Sequence, residues 1–252
     1  MNETTIKLDH PPIVEAVVDI DCDFPPGFDL QKIEEAAAKA FGDRYPKHRQ
    51  QHTAEHQVEI RAGAAHQIAA RVGLQALQFV SEDERQLVQI RIRGFSFNRL
   101  APYTGLDDYL PEIEATWKSC VKLTRPLKVL RVCLRYINRI LLPLAEGKVR
   151  LEDFLQVSPR LPDEANLKFK GFLRQHIAVE ESTGNEVTLV LTTQPAEPKC
   201  LPLIFDIAAG RFENLDPEDW KGIGERIESL RSLKNRVFHN TLTDKCLNLF
   251  QQ

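Results

Sequence analysis

Three aspartates have a type and spacing that could do chemistry. Asp19, Asp21 and Asp23 occupy every second position of one segment. The apolar residues between and around them are Val18, Ile20, Cys22 and Phe24. Alternation with a period of two predicts a half-buried strand, with the carboxylates about 6.5–7 Å apart on one face. Such a row could hold Mg²⁺ or Ca²⁺, as in a metal-dependent hydrolase. The alternative is a solvated or salt-bridged strand face, because the spacing is long for one ion.

A second segment carries the complementary charge. Arg131, Arg135 and Arg139 fall on one face of a predicted strand at Lys128–Leu141, and apolar residues occupy its other face. Opposite charges across a sheet contribute only about 0.2–1 kcal/mol each, but they help to fix the register. We therefore predict that the aspartate strand and this arginine strand are neighbours joined by Asp–Arg pairs.

Further arginines extend this pattern into a candidate basic binding face. Its members are Arg91, Arg93, Arg131, Arg135 and Arg139. With Phe95 and Phe97 available for stacking, such a face could bind phosphate or nucleic acid. The formal net charge of −3 and the pI near 6.2 argue against nucleic acid as the partner, and the chain has no recognisable nucleic-acid motif.

The other candidate sites are weaker. His48, His52 and His56 have the spacing of metal ligands on a helix, but Pro46 precedes them and favours a polar connecting loop instead. The chain contains no G-x-S-x-G, no Walker A and no G-x-G-x-x-G motif, so we predict neither catalytic residues nor a cofactor.

One junction occurs twice in the chain. Phe97-Asn98-Arg99-Leu100-Ala101-Pro102 and Phe212-Glu213-Asn214-Leu215-Asp216-Pro217 each lead from a predicted strand into an acidic helix start. A repeat this long suggests a duplicated unit rather than a solenoid. We expect two halves, residues 1–125 and 126–252, that share one body.

The predicted elements give both halves the order β-α-β-β-β-α. The first half reads as a strand from Ile13, a helix from Asp29, strands at Gln57–Ala62, Leu74–Val80 and Leu87–Leu100, and a helix from Asp107. The second reads as Lys128–Leu141, a short helix near Leu151–Leu155, strands at Phe169–Glu180, Glu186–Thr193 and Leu201–Ala208, and a helix from Asp216. Consecutive strands with sparse helices predict the α+β class, an antiparallel sheet with helices on one face.

Composition indicates a soluble cytoplasmic protein. The chain is 42% hydrophobic and 27% charged, which is ordinary for a globular protein. Its five cysteines contain no C-x-x-C pair, a pattern typical of reduced thiols. Neither a signal peptide nor an apolar run of the roughly 20 residues that span a bilayer is evident, so we expect no membrane association.

Three passages carry a resemblance to a known family. They are His10-Pro11-Pro12-Ile13-Val14-Glu15-Ala16-Val17-Val18, Phe95-Ser96-Phe97-Asn98-Arg99-Leu100, and Leu242-Thr243-Asp244-Lys245-Cys246-Leu247-Asn248-Leu249-Phe250. Together they resemble an uncharacterised, sporadically distributed bacterial family of about this length. That family brings no established activity. Its sporadic occurrence is typical of defence or toxin–antitoxin loci, which implies a protein partner or a homo-oligomer.

Three functions follow as hypotheses. The first is a non-catalytic interaction protein, possibly an accessory or antitoxin-like member of such a locus. The second is a small-molecule-binding module with its ligand in a groove between the two halves. The third is a metal-dependent hydrolase that uses Asp19, Asp21 and Asp23.

Overall fold

The chain forms an α+β structure around one antiparallel sheet. The structure is a computed structural model that describes residues 8–59, 67–157 and 170–251. These residues contain nine strands, four α-helices and two short 3-10 helices. The strands are β1 (Ile13–Asp23), β2 (Lys47–Glu59), β3 (Gln67–Val80), β4 (Gln86–Arg91), β5 (Gly94–Leu100), β6 (Lys128–Pro143), β7 (Leu173–Val179), β8 (Glu186–Thr193) and β9 (Cys200–Leu215). The α-helices are α1 (Leu30–Phe41), α2 (Leu106–Thr124), α3 (Trp220–Thr241) and α4 (Asp244–Leu247), and the 3-10 helices are Leu151–Asp153 and Asn248–Phe250.

The strand order places β1 and β6 side by side within the sheet. The full order is β2-β3-β4-β5-β1-β6-β9-β8-β7. On one side β1 pairs with β5, the strand that precedes α2, and on the other side β6 pairs with β9, the strand that precedes α3. All of the pairings are antiparallel.

One hydrophobic core joins the helices to alternate residues of the strands. Ile20 of β1, Phe95 of β5 and Phe205 of β9 are fully buried in the same cluster as Trp117 of α2 and Leu230 of α3. Burial of a large apolar side chain contributes about 1.5–3 kcal/mol, so this cluster is the main source of stability. The residues between these positions point to the other face of the sheet, which we call the polar face.

Two predicted elements need correction. The predicted return strand at Leu87–Leu100 is two strands, because the chain turns at Ile92 and Arg93 before β5 begins at Gly94. The first half therefore has four strands between its helices, not three. Between β6 and β7 the described residues contain only the 3-10 helix Leu151–Asp153.

The histidine segment and the start of one helix also differ from prediction. Lys47–Glu59 is a strand, not a loop, and the ring of His48 stacks on Phe79 at 5.1 Å. The backbone of His56 lies in this strand, while its side chain and residues 60–66 lie outside what the structure describes. Helix α3 begins at Trp220 instead of at Asp216, and it is capped by Asp219, whose carboxylate accepts from the Gly222 amide at 3.0 Å.

Candidate functional site

The aspartate and arginine strands are neighbours, which confirms that prediction. Strand β1 pairs with β6 in a register that sets Asp21 opposite Arg131 and Asp23 opposite Lys128. The expected Asp–Arg pairs across this junction are not what the structure contains. Asp19 and Asp21 instead take Arg91 of β4 as their ionic partner.

Arg91 reaches the aspartates across an intervening strand. Its Nη2 donates to Asp21 Oδ1 at 2.8 Å and to the Phe95 carbonyl at 2.9 Å, and it lies 3.4 Å from Asp19 Oδ1. The Ser96 hydroxyl also donates to Asp19. Gly94 makes this reach possible, because no side chain stands between Arg91 and Asp21 in the register.

Two further arginines of the candidate basic face are neutralised by carboxylates. Arg135 binds Asp206 of β9 through Nε at 2.9 Å and Nη2 at 2.5 Å, and this hydrogen bonding raises the pKa of Arg135. Arg139 donates to Glu197 and, at 3.2 Å, to Gln194. Bidentate Arg–carboxylate pairs are strong and geometrically specific, so this part of the face is not free to attract anions.

Arg131 is different, because it has no carboxylate partner among the described residues. Its guanidinium lies 5.5 Å from the ring centre of Phe212, its neighbour on β9. Its Nη2 would lie 2.8 Å from a Cβ at Gly210, so the absence of a side chain there lets Arg131 lie down on β9. Its Nε is buried without a hydrogen-bond partner. The ring of Phe212 is itself 77% exposed.

Other side chains of the polar face are joined to one another by hydrogen bonds. A chain of side-chain hydrogen bonds crosses five strands, from Gln51 through Gln78, Gln89 and Asn98 to Glu15. The donor–acceptor distances run from 3.3 Å at Gln51 to 2.7 Å at Glu15. Arg131 differs from these side chains, because within the described residues it has neither an ion pair nor a side-chain hydrogen bond and instead lies against Phe212.

Arg131 and Phe212 lie near one end of the molecule, where other exposed groups collect. The β1–β6 register brings Lys128 beside Asp23, Leu127 donates its amide to the Asp23 carbonyl, and Cys22 donates to the Arg93 carbonyl. Exposed large apolar side chains at this end are Ile92, Leu127, Leu130 and Phe212.

An open groove adjoins this end. It has a volume of about 710 Å³ and runs between the C-terminal end of α2 and the β9–α3 junction. Lys122, Arg125 and Lys128 line it together with Asp216 and Glu218. Arg125 adopts a left-handed backbone conformation with φ of 49°, and its amide caps α2 through the Val121 carbonyl. A smaller cavity of about 300 Å³ continues from it past Trp117 and Trp220.

The five predicted site residues do not act as one group. Arg91, Arg135 and Arg139 are paired, Arg93 lies in the turn before β5, and Arg131 contacts Phe212. Sequence reasoning did not include Phe212 in the candidate basic face, because the last predicted strand ended at Ala208. The available signal was the continued alternation through Ile207 and Ala209, which places Phe212 on the polar face.

The described part of the chain holds no metal-binding group of three or more His, Cys, Asp or Glu side chains. Among the same residues, no helix has the length and apolar character needed to cross a bilayer. No protein-family model matches the chain, and no curated protein matches it either. The resemblance to a bacterial family stays a prediction.

Proposed function

We propose that the protein is a non-catalytic interaction protein that binds a protein partner through Arg131 and Phe212. The observation that carries the proposal is an arginine that has no carboxylate partner among the described residues and that stacks on a ring that is 77% exposed. Arginine and aromatic residues are enriched among the side chains that dominate binding energy at interfaces. A paired arginine with a buried ring would have offered nothing to a partner.

The neutralised arginines support a protein partner over nucleic acid. Arg91, Arg135 and Arg139 already bind carboxylates of the same chain. Because affinity for nucleic acid depends on many unpaired cations along the phosphate backbone, a face on which three of five arginines are paired is poorly suited to that role.

We also propose that the chain arose by duplication, with helices covering one face of the sheet. The strand order supports this idea, because β5-β1 and β6-β9 are corresponding pairs on the two sides of the β1–β6 junction. Each outer strand of these pairs leads into a long helix, α2 or α3. The polar face would then be the uncovered side, available for contact.

The groove at the end of α2 favours a second candidate function. Its walls come from α2, which precedes residue 126, and from the β9–α3 junction, which follows it. A volume of about 710 Å³ falls within the range of small-molecule sites. Under this alternative the ligand occupies the groove between the two halves.

The metal-dependent hydrolase, the cytoplasmic location and the defence-type locus have weaker support. A metal-dependent hydrolase would need Asp19 and Asp21 as ligands, but Arg91 already occupies both carboxylates. A cytoplasmic location and a place in a defence-type locus rest on the sequence alone. Both are consistent with a partner encoded by a neighbouring gene.

Native mass spectrometry of the protein affinity-purified from its own host tests the proposed function. We expect a co-purifying protein at fixed stoichiometry. A small-molecule adduct without a protein partner would instead support the groove as a ligand site. The bare mass alone, or a bound metal, would contradict the interaction proposal.

A further inference from the structure

We infer that the partner surface is one end of the molecule and that it takes an acidic protein segment with apolar side chains. This inference rests on the proposed function and specifies the partner's chemistry. We call the surface the basic end. Its cations are Arg93, Lys122, Arg125, Lys128 and Arg131, and its apolar residues are Ile92, Leu127, Leu130 and Phe212.

The register of the sheet brings these residues together. Arg131 lies between Asp21 on β1 and Phe212 on β9, and Gly94 at the start of β5 lies beside Asp21 on the other side. The turn that holds Ile92 and Arg93 immediately precedes Gly94. Lys128 begins β6 and also lines the groove with Lys122 of α2 and with Arg125, which caps that helix. The basic end is therefore one continuous region.

Within the described residues none of the cations of the basic end forms an ion pair, whereas Arg231 pairs with Asp107 and Lys245 pairs with Asp153. Exposed cations without an ion pair also occur elsewhere in these residues, as at Lys148 and Lys199, so the basic end is distinguished by having five of them together. Unpaired cations crowded at one end repel one another, and an approaching anionic segment relieves that repulsion. The chain as a whole is acidic, at −3, so this positive end also orients an acidic partner during encounter.

The apolar residues decide what kind of anion fits. Ile92 is 43% exposed, Leu130 42%, Leu127 54% and Phe212 77%. Burial of such apolar area favours binding. Three of these side chains are aliphatic and offer no ring on which a nucleic-acid base could stack. An acidic peptide that alternates carboxylate and apolar side chains matches the surface better.

Fluorescence anisotropy with a short fluorescein-labelled peptide of alternating Glu and Leu tests the inference. The comparison probes are a Glu–Ser peptide, a Lys–Leu peptide and a single-stranded DNA of similar length. We expect only the Glu–Leu peptide to bind well, with an affinity that falls as salt rises. The double variant Lys122→Glu/Lys128→Glu should weaken it by roughly tenfold or more.

A matched control places the same charge change at the opposite end of β6. Lys148 and Lys199 are exposed and lie beyond the far end of that strand, so Lys148→Glu/Lys199→Glu should leave the affinity within about twofold. Equal binding of the DNA or of the Glu–Ser peptide would overturn the inference. So would an equal loss in the control, or no binding by any probe. If native mass spectrometry still found a protein partner in that case, the proposed function would stand without this inference.

Discussion

Arg91 and Asp21 lie on strands that are not neighbours, yet Arg91 Nη2 donates to Asp21 Oδ1 at 2.8 Å. The strand between them is β5, and its first residue is Gly94. The same device occurs on the other side of the β1–β6 junction, where Arg131 lies over Gly210. Both positions are glycine, and because glycine has no side chain the guanidinium can lie along the sheet there. One arginine finds a carboxylate within the chain, and the other stacks on an exposed ring.

Gly94→Ala should destabilise the fold by roughly 3 kcal/mol or more. A Cβ there would lie 2.0 Å from the Ile20 carbonyl oxygen, and φ at this residue is 147°. Chemical denaturation monitored by circular dichroism measures the change. The control is Gly224→Ala in α3, where a Cβ meets nothing within 4 Å, and which should stabilise the protein by about 0.5–1 kcal/mol. Equal stability of the two variants would refute the close approach of β1 and β5.

Arg231→Gln should cost about 0.2–1 kcal/mol at pH 7 and nothing at low pH. Arg231 binds Asp107 of α2 through two hydrogen bonds, at 2.7 and 2.9 Å, and this pairing holds the pKa of Asp107 below its ordinary value near 3.8. A carboxyl whose pKa is lowered in the folded state stabilises the fold above its unfolded pKa. That contribution is lost as the pH falls through the folded pKa.

Unfolding free energies of wild type and Arg231→Gln, measured from pH 7 down to pH 3, test this linkage. The difference between the two curves should begin to shrink below about pH 4 and vanish only below the lowered folded pKa of Asp107. Lys221→Gln is a control, because its contact with Glu225 at 3.8 Å lies within one helix and is highly exposed. A difference that stays constant or grows on acidification would show that Arg231 acts by packing, not by charge.

Cys200 should react with a thiol reagent in the native protein faster than the other four cysteines because it is more exposed, even though desolvation and its hydrogen bond to Glu197 raise its pKa too. Cys22, Cys120, Cys133 and Cys246 are buried, while Cys200 is intermediate. Burial raises the pKa of Cys133 to about 11 and that of Cys120 and Cys246 to about 12, so little thiolate forms at neutral pH. Mass spectrometry after brief iodoacetamide treatment identifies the labelled residue, and denatured protein should label at all five. Labelling of Cys133 in the native protein would show that its thiol, which lies near Arg131, is exposed and not buried.

Much of the fold could be predicted from the sequence because alternation is a local signal. Strand β1 and the pairing partner β6 were expected from their charge patterns, and Glu186–Thr193 matches β8. The strand at Lys47–Glu59 was missed, because its mostly polar residues lack an apolar alternation and it is held by pairing with β3. Such a strand depends on its neighbour and not on its own residues.

The pairing of the charged residues could not be predicted, for a related reason. Sequence reasoning predicted Asp–Arg pairs between β1 and β6, and the register does set Asp21 opposite Arg131. Asp21 pairs with Arg91 instead, because the chain turns at Ile92 and Arg93 and because Gly94 has no side chain. Neither feature could be predicted while β4 and β5 were taken as one strand. Phe212 lay outside the last predicted strand for a different reason, because β9 continues to Leu215, beyond its apolar run.

Phe212→Ser should leave stability nearly unchanged, within about 0.5 kcal/mol, because the ring is 77% exposed. The matched control is Ile177→Ser on β7, where the side chain is 64% exposed and lies far along the sheet from β6. Denaturation curves of both variants should overlay that of the wild type. A large loss for Phe212→Ser would mean that the ring holds the fold instead of serving a partner.

The most direct test of the interaction proposal compares these variants in native mass spectrometry after purification from the host. We expect one protein to co-purify at fixed stoichiometry with wild type and with Ile177→Ser, and to be lost with Phe212→Ser. The same partner on all three proteins, or none on the wild type, would contradict a binding surface built on Arg131 and Phe212.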